Sequence, residues 1–496
     1  MAFASSNRTA IRRIEETTFG TTPATPAFID TRYTSESLNY SITNITSNEI
    51  RSDRMTSDLV QTEADVAGSI DFELSYAAFE DFFIHALGEA AGFTADYALS
   101  GITFAATADG FTDSGSGFVA AGITVGDWIR VGGFTEAGNN GYFRVKTVAA
   151  GALTVEDASP LVVEIAGDTV TINGGKITNN VSERSFAFEK EFGDAFNRPA
   201  TPTPVYLYFN GVRTCGFTLN VNVGEILTGS FNFQGTSAGT NQVKITRTDI
   251  SSTASDIVTT GSFITDGFTV GMQIKASGFA ADVNNQVYTI DTLSATNMDF
   301  VEAPTLLVES AGASITIESL NPPRFTGATT TAAPQNDVMN AVGNVVQVNT
   351  DGLISTSCFN TLSITYENNC RPIDCVGTLG HRDIKFGRAE VTGTIGLFFE
   401  NTLDYQRFLD AASFSFAFHV EDNPGAGQTY GNAYTFNFPY VRYESGTLVS
   451  EGLDTNIFFN ATFRALVDRS IANGGTGMTS DGTDFAMFSI TKYAAA

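Results

Sequence analysis

Three histidines, four cysteines and a surplus of carboxylates are the residues of this 496-residue chain that could do chemistry. His85 falls in a helical pattern, His381 in a polar loop and His419 at a strand end. No two of them have the spacing of a metal pair, and none stands beside a nucleophile motif. Ordinary core or surface roles are expected for all three. Cys215, Cys358, Cys370 and Cys375 are too few and too clustered for a disulfide framework. The four residues between the last two, in "NCRPIDC", fit neither a redox nor a zinc motif, so free thiols in a turn are expected. "GSGFVAAG" (115–122) precedes a β repeat instead of a helix, so a phosphate loop is not expected. "DGFTD" (109–113) offers two carboxylates with too little around them for a calcium loop. The chain therefore reads as no enzyme, with no cofactor and no metal.

The carboxylates matter collectively. Against 27 basic residues stand 54 acidic ones, a formal charge of −27, so general affinity for phosphate backbones or anionic membranes is not expected. "MAFASSNRTAIRRIEE" lacks the apolar core of a signal peptide, and no stretch approaches 18 apolar residues. Synthesis and folding in the cytoplasm are expected. With 41 Phe, 15 Tyr and 47 Gly, and few long helix formers, the composition favours β structure, and the length suggests about three or four domains.

The elements that would carry such a chain are repeated. "FVAAGITVGDWIRVGGFTEAGNNGYFRVKTV" (118–148) aligns without a gap with "FITDGFTVGMQIKASGFAADVNNQVYTIDTL" (263–293), and the match continues from "PLVVEIAGDTVTI" (160–172) to "TLLVESAGASITI" (305–317). Short apolar alternations punctuated by Gly or Asn-Asn make each unit a small β-barrel or sandwich. The shared Gly122, Gly126, Gly133, Asn139 and Asn140 read as turn residues able to take positive φ.

The outer chain repeats more faintly. "SLNYSITN" (37–44) pairs with "TLSITYEN" (361–368), "VAGSIDFELSYAAFEDFF" (66–83) with "VTGTIGLFFENTLDYQRF" (391–408), "YLYFNGVR" (206–213) with "TFNFPYVR" (435–442), and "TGSFNF" (228–233) with "NATFRA" (460–465). Each copy holds a strand, a long polar excursion, an alternating strand and a short helix. Phe79, Phe82, Phe83, Ala86 and Leu87 make one apolar helix face, and Leu403, Tyr405, Phe408 and Leu409 occupy the same region of the second copy.

"EETTFGTTPATP" (15–26), with two prolines and no apolar run, reads as an extended arm with no reason to order before a partner is present. With the segment that follows it, "SESLNYSITNITSNEIRSDRMTSDLVQTEADVAGSIDFELSYAAFEDFF", it resembles the amino-terminal half of tail tube proteins of long, non-contractile bacteriophage tails. The resemblance covers residues 10–95, and more weakly 198–235. It implies a β-sandwich flanked by a helix, rings whose inner strands join into one barrel, and stacking of rings into a virion tail assembled in host cytoplasm.

The expected organisation is an arm (1–30), a first tube module (31–95 and 176–242) interrupted by a β insert (96–175), a second, homologous insert (243–320) and a second tube module (321–496). The inserts are expected to project outward as decoration. The polar excursions 45–64 and 369–388 match the hairpin loop such proteins extend toward the next ring. Contacts between subunits or rings are expected at Glu16, Thr17, Phe19, Pro23, Arg51, Asp53, Arg54, Arg382 and Asp383. Asp71, Glu73 and Glu390 are candidates for lumen carboxylates that would repel passing DNA. Partners are then other copies of the chain, other tail proteins at the tube ends and genomic DNA held without specific binding; no membrane is involved. Two modules per chain suggest three chains per ring, with six as the alternative. A different class, a surface adhesin or glycan-binding protein, would need an aromatic platform, but Trp128 becomes Gln273 in the other insert.

Overall fold

Alternation decides where the backbone extends. In Leu59–Glu73, Ala64, Val66, Ile70 and Phe72 are buried while Asp65, Ser69, Asp71 and Glu73 are not, as a strand with one covered face requires. The computed structural model describes residues 5–198, 201–355, 357–424, 430–449, 452–453, 456–467 and 486–495. Residues 199–200 of the weaker family-like stretch, and the start of the expected arm, lie outside the described residues. The protein is mainly β, with one large sheet system, two seven-stranded sheets and a two-stranded hairpin.

Twelve strands of the large system form two sets of six. The first is β1 (Thr9–Glu15), β2 (Asn39–Thr46), β3 (Leu59–Glu73), β4 (Phe186–Arg198), β5 (Thr201–Asn222) and β6 (Thr228–Gly235). The second is β7 (Val345–Thr350), β8 (Phe359–Glu367), β9 (Glu390–Phe398), β10 (Phe414–Glu421), β11 (Ala433–Val449) and β12 (Phe458–Ala465). In the first, antiparallel pairing runs β1–β4–β5–β6–β3–β2. In the second it runs β7–β10–β11–β12–β9–β8, the same path. Even the bulge recurs: the register shifts between Thr214 and Gly216 against β6, and between Tyr443 and Ser445 against β12.

Each set carries a helix between its third and fourth strands, α1 (Glu80–Leu87) and α2 (Leu403–Leu409). In α1, Glu80 and Asp81 sit in the first turn, where the helix dipole favours negative charge. Gly88 ends the helix at φ 70°, its N–H bonded to His85 and Ile84 carbonyls. A side chain there would also press on the Asn180 carbonyl. Phe82, Phe83, Ala86 and Leu87 enter one continuous core with Phe217, Phe231, Tyr366, Phe436 and Phe488. Phe231 stands 5.1 Å from both Phe82 and Phe83. α2 buries no residue fully; Tyr405 and Phe408 pack only partly against the core.

The two seven-stranded sheets, Leu99–Asn173 and Lys244–Ser319, have the same strand order, 1-7-4-5-6-3-2. Gly122, Gly126 and Gly133 take positive φ, as do Gly267, Gly271 and Gly278. Asn139 and Asn140 do not, which corrects their reading as left-handed turn residues; they brace the loop with their amides. Asn139 donates to Glu164 (2.8 Å) and accepts from the Val162 N–H (2.8 Å), and Asn284 does the same with Glu309 (2.7 Å) and Leu307 (3.0 Å). Asn140 and Asn285 each bond both backbone groups of a phenylalanine, Phe134 and Phe279.

Three expectations need correction. First, the amino-terminal stretch finds partners in its own chain: β1 pairs with β4, and Ala27–Asp30 pairs with β1 and, in parallel, with Thr329–Thr331. Between them Glu16 is buried and accepts from Gly20 N–H (2.8 Å), Gly211 N–H (2.9 Å) and Ser185 Oγ (2.6 Å). Those donors satisfy a carboxylate whose burial raises its pKa. A polar segment without an apolar run is thus ordered by buried hydrogen bonds. Second, Cys215 and Cys370 form a disulfide, leaving Cys358 and Cys375 free. The partners are 155 residues apart, so spacing within "NCRPIDC" could not reveal them. Third, the first insert does not simply project. Trp128, Arg130, Tyr142 and Arg144 are buried against the second set: Trp128 and Tyr142 rings each lie 4.6 Å from His419, Tyr142 donates to Glu421 (3.0 Å), and Arg130 donates to the carbonyls of Gly431 (2.6 Å) and Ala494.

Candidate assembly surfaces

The two sets are one sheet. Antiparallel pairing of β5 with β8, from Gly216 opposite Glu367 to Asn222 opposite Thr361, joins them into the eight-stranded order β2–β3–β6–β5–β8–β9–β12–β11. The Cys215–Cys370 disulfide lies at the bulged end of this junction, where Asn368 N–H also bonds the Cys215 carbonyl (2.7 Å).

The pleat gives the sheet two unlike faces. One cross-strand row, Ile70, Phe231, Phe217, Tyr366, Val391 and Ala465, is buried throughout. The next row on the opposite face reads Asp71, Ser230, Thr218, Thr365, Thr392 and Arg464, and another reads Glu73, Thr228, Asn220, Ser363, Thr394 and Thr462. Small hydroxyl and amide groups dominate this uncovered face. Asp71, Glu73 and Glu390 all stand on it, but they are not equivalent. Asp71 accepts from Ser35 Oγ. Glu390 is paired with Arg388 and, at 3.3 Å, with Arg464, and those bonds hold its carboxyl below the usual range. The charge at that point of the face is neutralised.

The sheet has two open ends. Among the described residues, β2 carries no strand on its outer edge, and on β11 the stretch Ser445–Val449 pairs only with β12. Neither "SLNYSITNIT" (37–46) nor "SGTLV" (445–449) contains the Lys or Pro that blunts an edge in a protein with no partner for it.

The two polar excursions differ. In the second, Arg371–Ile373 pairs with Asp383–Lys385, and this hairpin lies across the first set. Asp383 reaches Arg213 (3.2 Å), Lys385 reaches Glu183 (2.6 Å), and His381 lies between Asp374 (2.6 Å) and Asp65 (3.0 Å). Burial disfavours a charged His381 ring, but the two carboxylates outweigh it and raise its pKa. Arg382 contributes its backbone N–H to the Ile373 carbonyl (2.8 Å). In the first excursion, Arg51, Asp53 and Arg54 form an exposed tip, with Arg51 and Asp53 paired at 2.6 Å and Ile50 99% exposed.

Of the sequence-derived contact residues, the structure brings Phe19 and Asp383 together on one side chain, Arg213. Its guanidinium lies 4.7 Å from the Phe19 ring centre and 2.8 Å from Glu183. Thr17 is exposed and Pro23 half-buried on the amino-terminal strap, while the 51–54 tip stands apart from them. Arg213 was not among the expected residues. The signal was present, since "YLYFNGVR" and "TFNFPYVR" both end in Val-Arg. Among the described residues, no group of three or more His, Cys, Asp and Glu is placed to hold a metal ion, and no helix is long and apolar enough to cross a membrane.

A β-rich chain whose continuous sheet has two open edges among the described residues offers surfaces for assembly. A family model described as phage tail tube protein matches residues 6–465, and the chain belongs to that family. It is a structural component of the bacteriophage virion tail; membership implies self-assembly into a tube and contact with other tail proteins. No curated protein matches the chain.

Proposed function

We propose that three chains close into a ring whose 24 inner strands form one barrel, that rings stack into the tail tube, and that DNA passes through the lumen. On this reading each chain is two tube modules with one insert inside the first and another between them. The observation that carries it is the single eight-stranded sheet. Both modules present the same polar face to the same side, so neither is an outer domain. At about 4.8 Å per strand, 24 strands give a backbone diameter of about 37 Å before tilt widens it, whereas the 48 strands of a six-chain ring would give about 73 Å.

The face with Asp71, Glu73 and Glu390 lines the lumen. Its Ser, Thr and Asn rows offer no cationic stripe to grip phosphates, so DNA slides without specific binding. Asp71 and Glu73 carry negative charge on this face, whereas Glu390 is neutralised by its arginines. The excursion tips at Arg51, Asp53 and Arg54 meet the next ring of a non-contractile tail. Electron microscopy of the purified protein with mass measurement per ring tests this: a repeat of three 52.8 kDa chains is expected, and six would overturn the trimer.

A further inference from the structure

We infer that the open edge of β11 binds the open edge of β2 of a second copy of this chain, in a register read from the junction between β5 and β8 inside one chain. The inference rests on the ring reading and deepens it, because it names the surfaces and the residues that meet.

The two sets are equivalent strand by strand. Pairing against β6 and β12, bulge included, makes Phe217 equivalent to Gly446, Thr218 to Thr447, Leu219 to Leu448 and Asn220 to Val449. Pairing against β3 and β9 makes Ser37, Leu38, Asn39 and Tyr40 equivalent to Ser363, Ile364, Thr365 and Tyr366. Inside the chain, Phe217 meets Tyr366, Leu219 meets Ile364 and Thr218 meets Thr365. Between chains, Gly446 then meets Tyr40, Leu448 meets Leu38 and Thr447 meets Asn39. The residues suit this. Gly446 lacks the ring that Phe217 places beside Tyr366, because the Phe459 and Phe408 rings of its own chain lie where a side chain would go, so Tyr40 meets a glycine backbone there. Leu38 and Leu448 repeat the apolar pair on the core face. The ladder begins at Gly446, because Ser445 stands where Gly216 lies so close to the Tyr366 carbonyl that a Cβ would collide.

The excursions obey the same equivalence. Leu59 opposite Thr46 corresponds to Ile384 opposite Pro372, which makes Asp58 the counterpart of Asp383. Arg213, the partner of Asp383, corresponds to Arg442. Asp58 and Arg442 are both exposed within one chain. In the ring, Asp58 of one copy pairs with Arg442 of the next, and the first excursion lies across the neighbour's second set.

The test uses the full chain with C358S and C375S, so that the free thiols do not interfere. The edges are seven strand spacings apart, roughly 33 Å, so a bond between residues 39 and 447 must join two chains. Mild oxidation of tubes of N39C/T447C is expected to give covalent trimers on non-reducing gels. S41C/T447C, two residues out of register and about 7–8 Å apart, should cross-link less than about a tenth as well. Tubes that form but cross-link equally in both variants, or in neither, overturn the register while leaving the ring intact. Parent protein that forms no tubes overturns the ring reading itself. In the parent chain, D58R and R442D should each raise the concentration needed for assembly by about tenfold or more, with monomer circular dichroism unchanged, and D58R/R442D should restore it to within about threefold. Failure of that rescue overturns the excursion contact.

Discussion

The two seven-stranded units share strand order, glycine turns and asparagine braces, yet they meet the rest of the chain differently. In the first, the four side chains Trp128, Arg130, Tyr142 and Arg144 leave the strands on one side and are buried against β10 and its surroundings. In the second, the equivalent positions hold Gln273, Lys275, Val287 and Thr289. Lys275 and Val287 are exposed, Thr289 bonds Glu302 of its own unit (2.8 Å), and the ion pairs Lys244–Glu318 and Arg247–Asp266 are internal. One ancestral fold thus serves as a docked wedge in one place and a free-standing unit in another. The difference lies in four outward side chains and not in the core, because a β unit with a complete core needs no contact beyond it to fold.

The largest effect should come from exchanging those faces. Trp128→Gln with Tyr142→Val removes two buried aromatics from the first unit, and thermal or urea unfolding should show a loss of about 3–5 kcal/mol. A loss below about 1 kcal/mol would mean that the first unit is no more docked than the second.

Acidification should act through the same seam. His419 lies beneath Trp128 and Tyr142, bonded to Thr435 (2.6 Å) and Asn349 (3.1 Å), and burial lowers its pKa to about 3. Since the folded value lies below the ordinary 6.5, the unfolded chain binds the extra proton. Stability is fully present above pH 6.5 and lost as pH falls toward 3, by about 3 kcal/mol on reaching pH 4. Urea midpoints from pH 7 to 4 should fall less steeply for His419→Gln; an unchanged slope would remove His419 from the account.

The asparagine braces should behave alike in both units. Asn139→Ala and Asn284→Ala each remove a fully buried amide that ties Glu164 or Glu309 to the loop, and leave the Val162 or Leu307 N–H without that acceptor, costing about 0.5–1.5 kcal/mol. Hydrogen exchange of each unit measures this, and a markedly unequal pair of losses would break the likeness of the interiors. The smallest effect is expected at the free face. Gln273→Ala with Val287→Ala should shift stability by less than about 0.5 kcal/mol, and replacing residues 244–319 by a Gly-Ser linker should leave the midpoint of the remaining chain and its tube formation nearly unchanged. Loss of assembly in that deletion would make the second unit part of the ring.

Much of this was legible because it is periodic. Alternation marks strands such as "VAGSIDFE", the helical spacing of Phe79, Phe82 and Phe83 marks α1, and the offset repeats mark the duplicated parts. Asp71, Glu73 and Glu390 share the uncovered face because two-residue alternation leaves little choice. Other features hid in plain view. Trp128 against Gln273 separated the docked unit from the free one, but only as a lost sugar platform, and the Val-Arg ending shared by "YLYFNGVR" and "TFNFPYVR" pointed to Arg213 without saying what it holds.

Local sequence determined the elements, the two faces of each strand and the likeness of the repeats, since these follow from side-chain period and turn chemistry within a few residues. Tertiary structure alone decided which distant segments meet: β5 beside β8, Cys215 bonded to Cys370, Glu16 under the donors of Gly20, Gly211 and Ser185, and Trp128 over His419. Many partners would satisfy an apolar face or a thiol equally well. Only the order of strands in the folded sheet, which brings residues more than a hundred positions apart within bonding distance, selects among them.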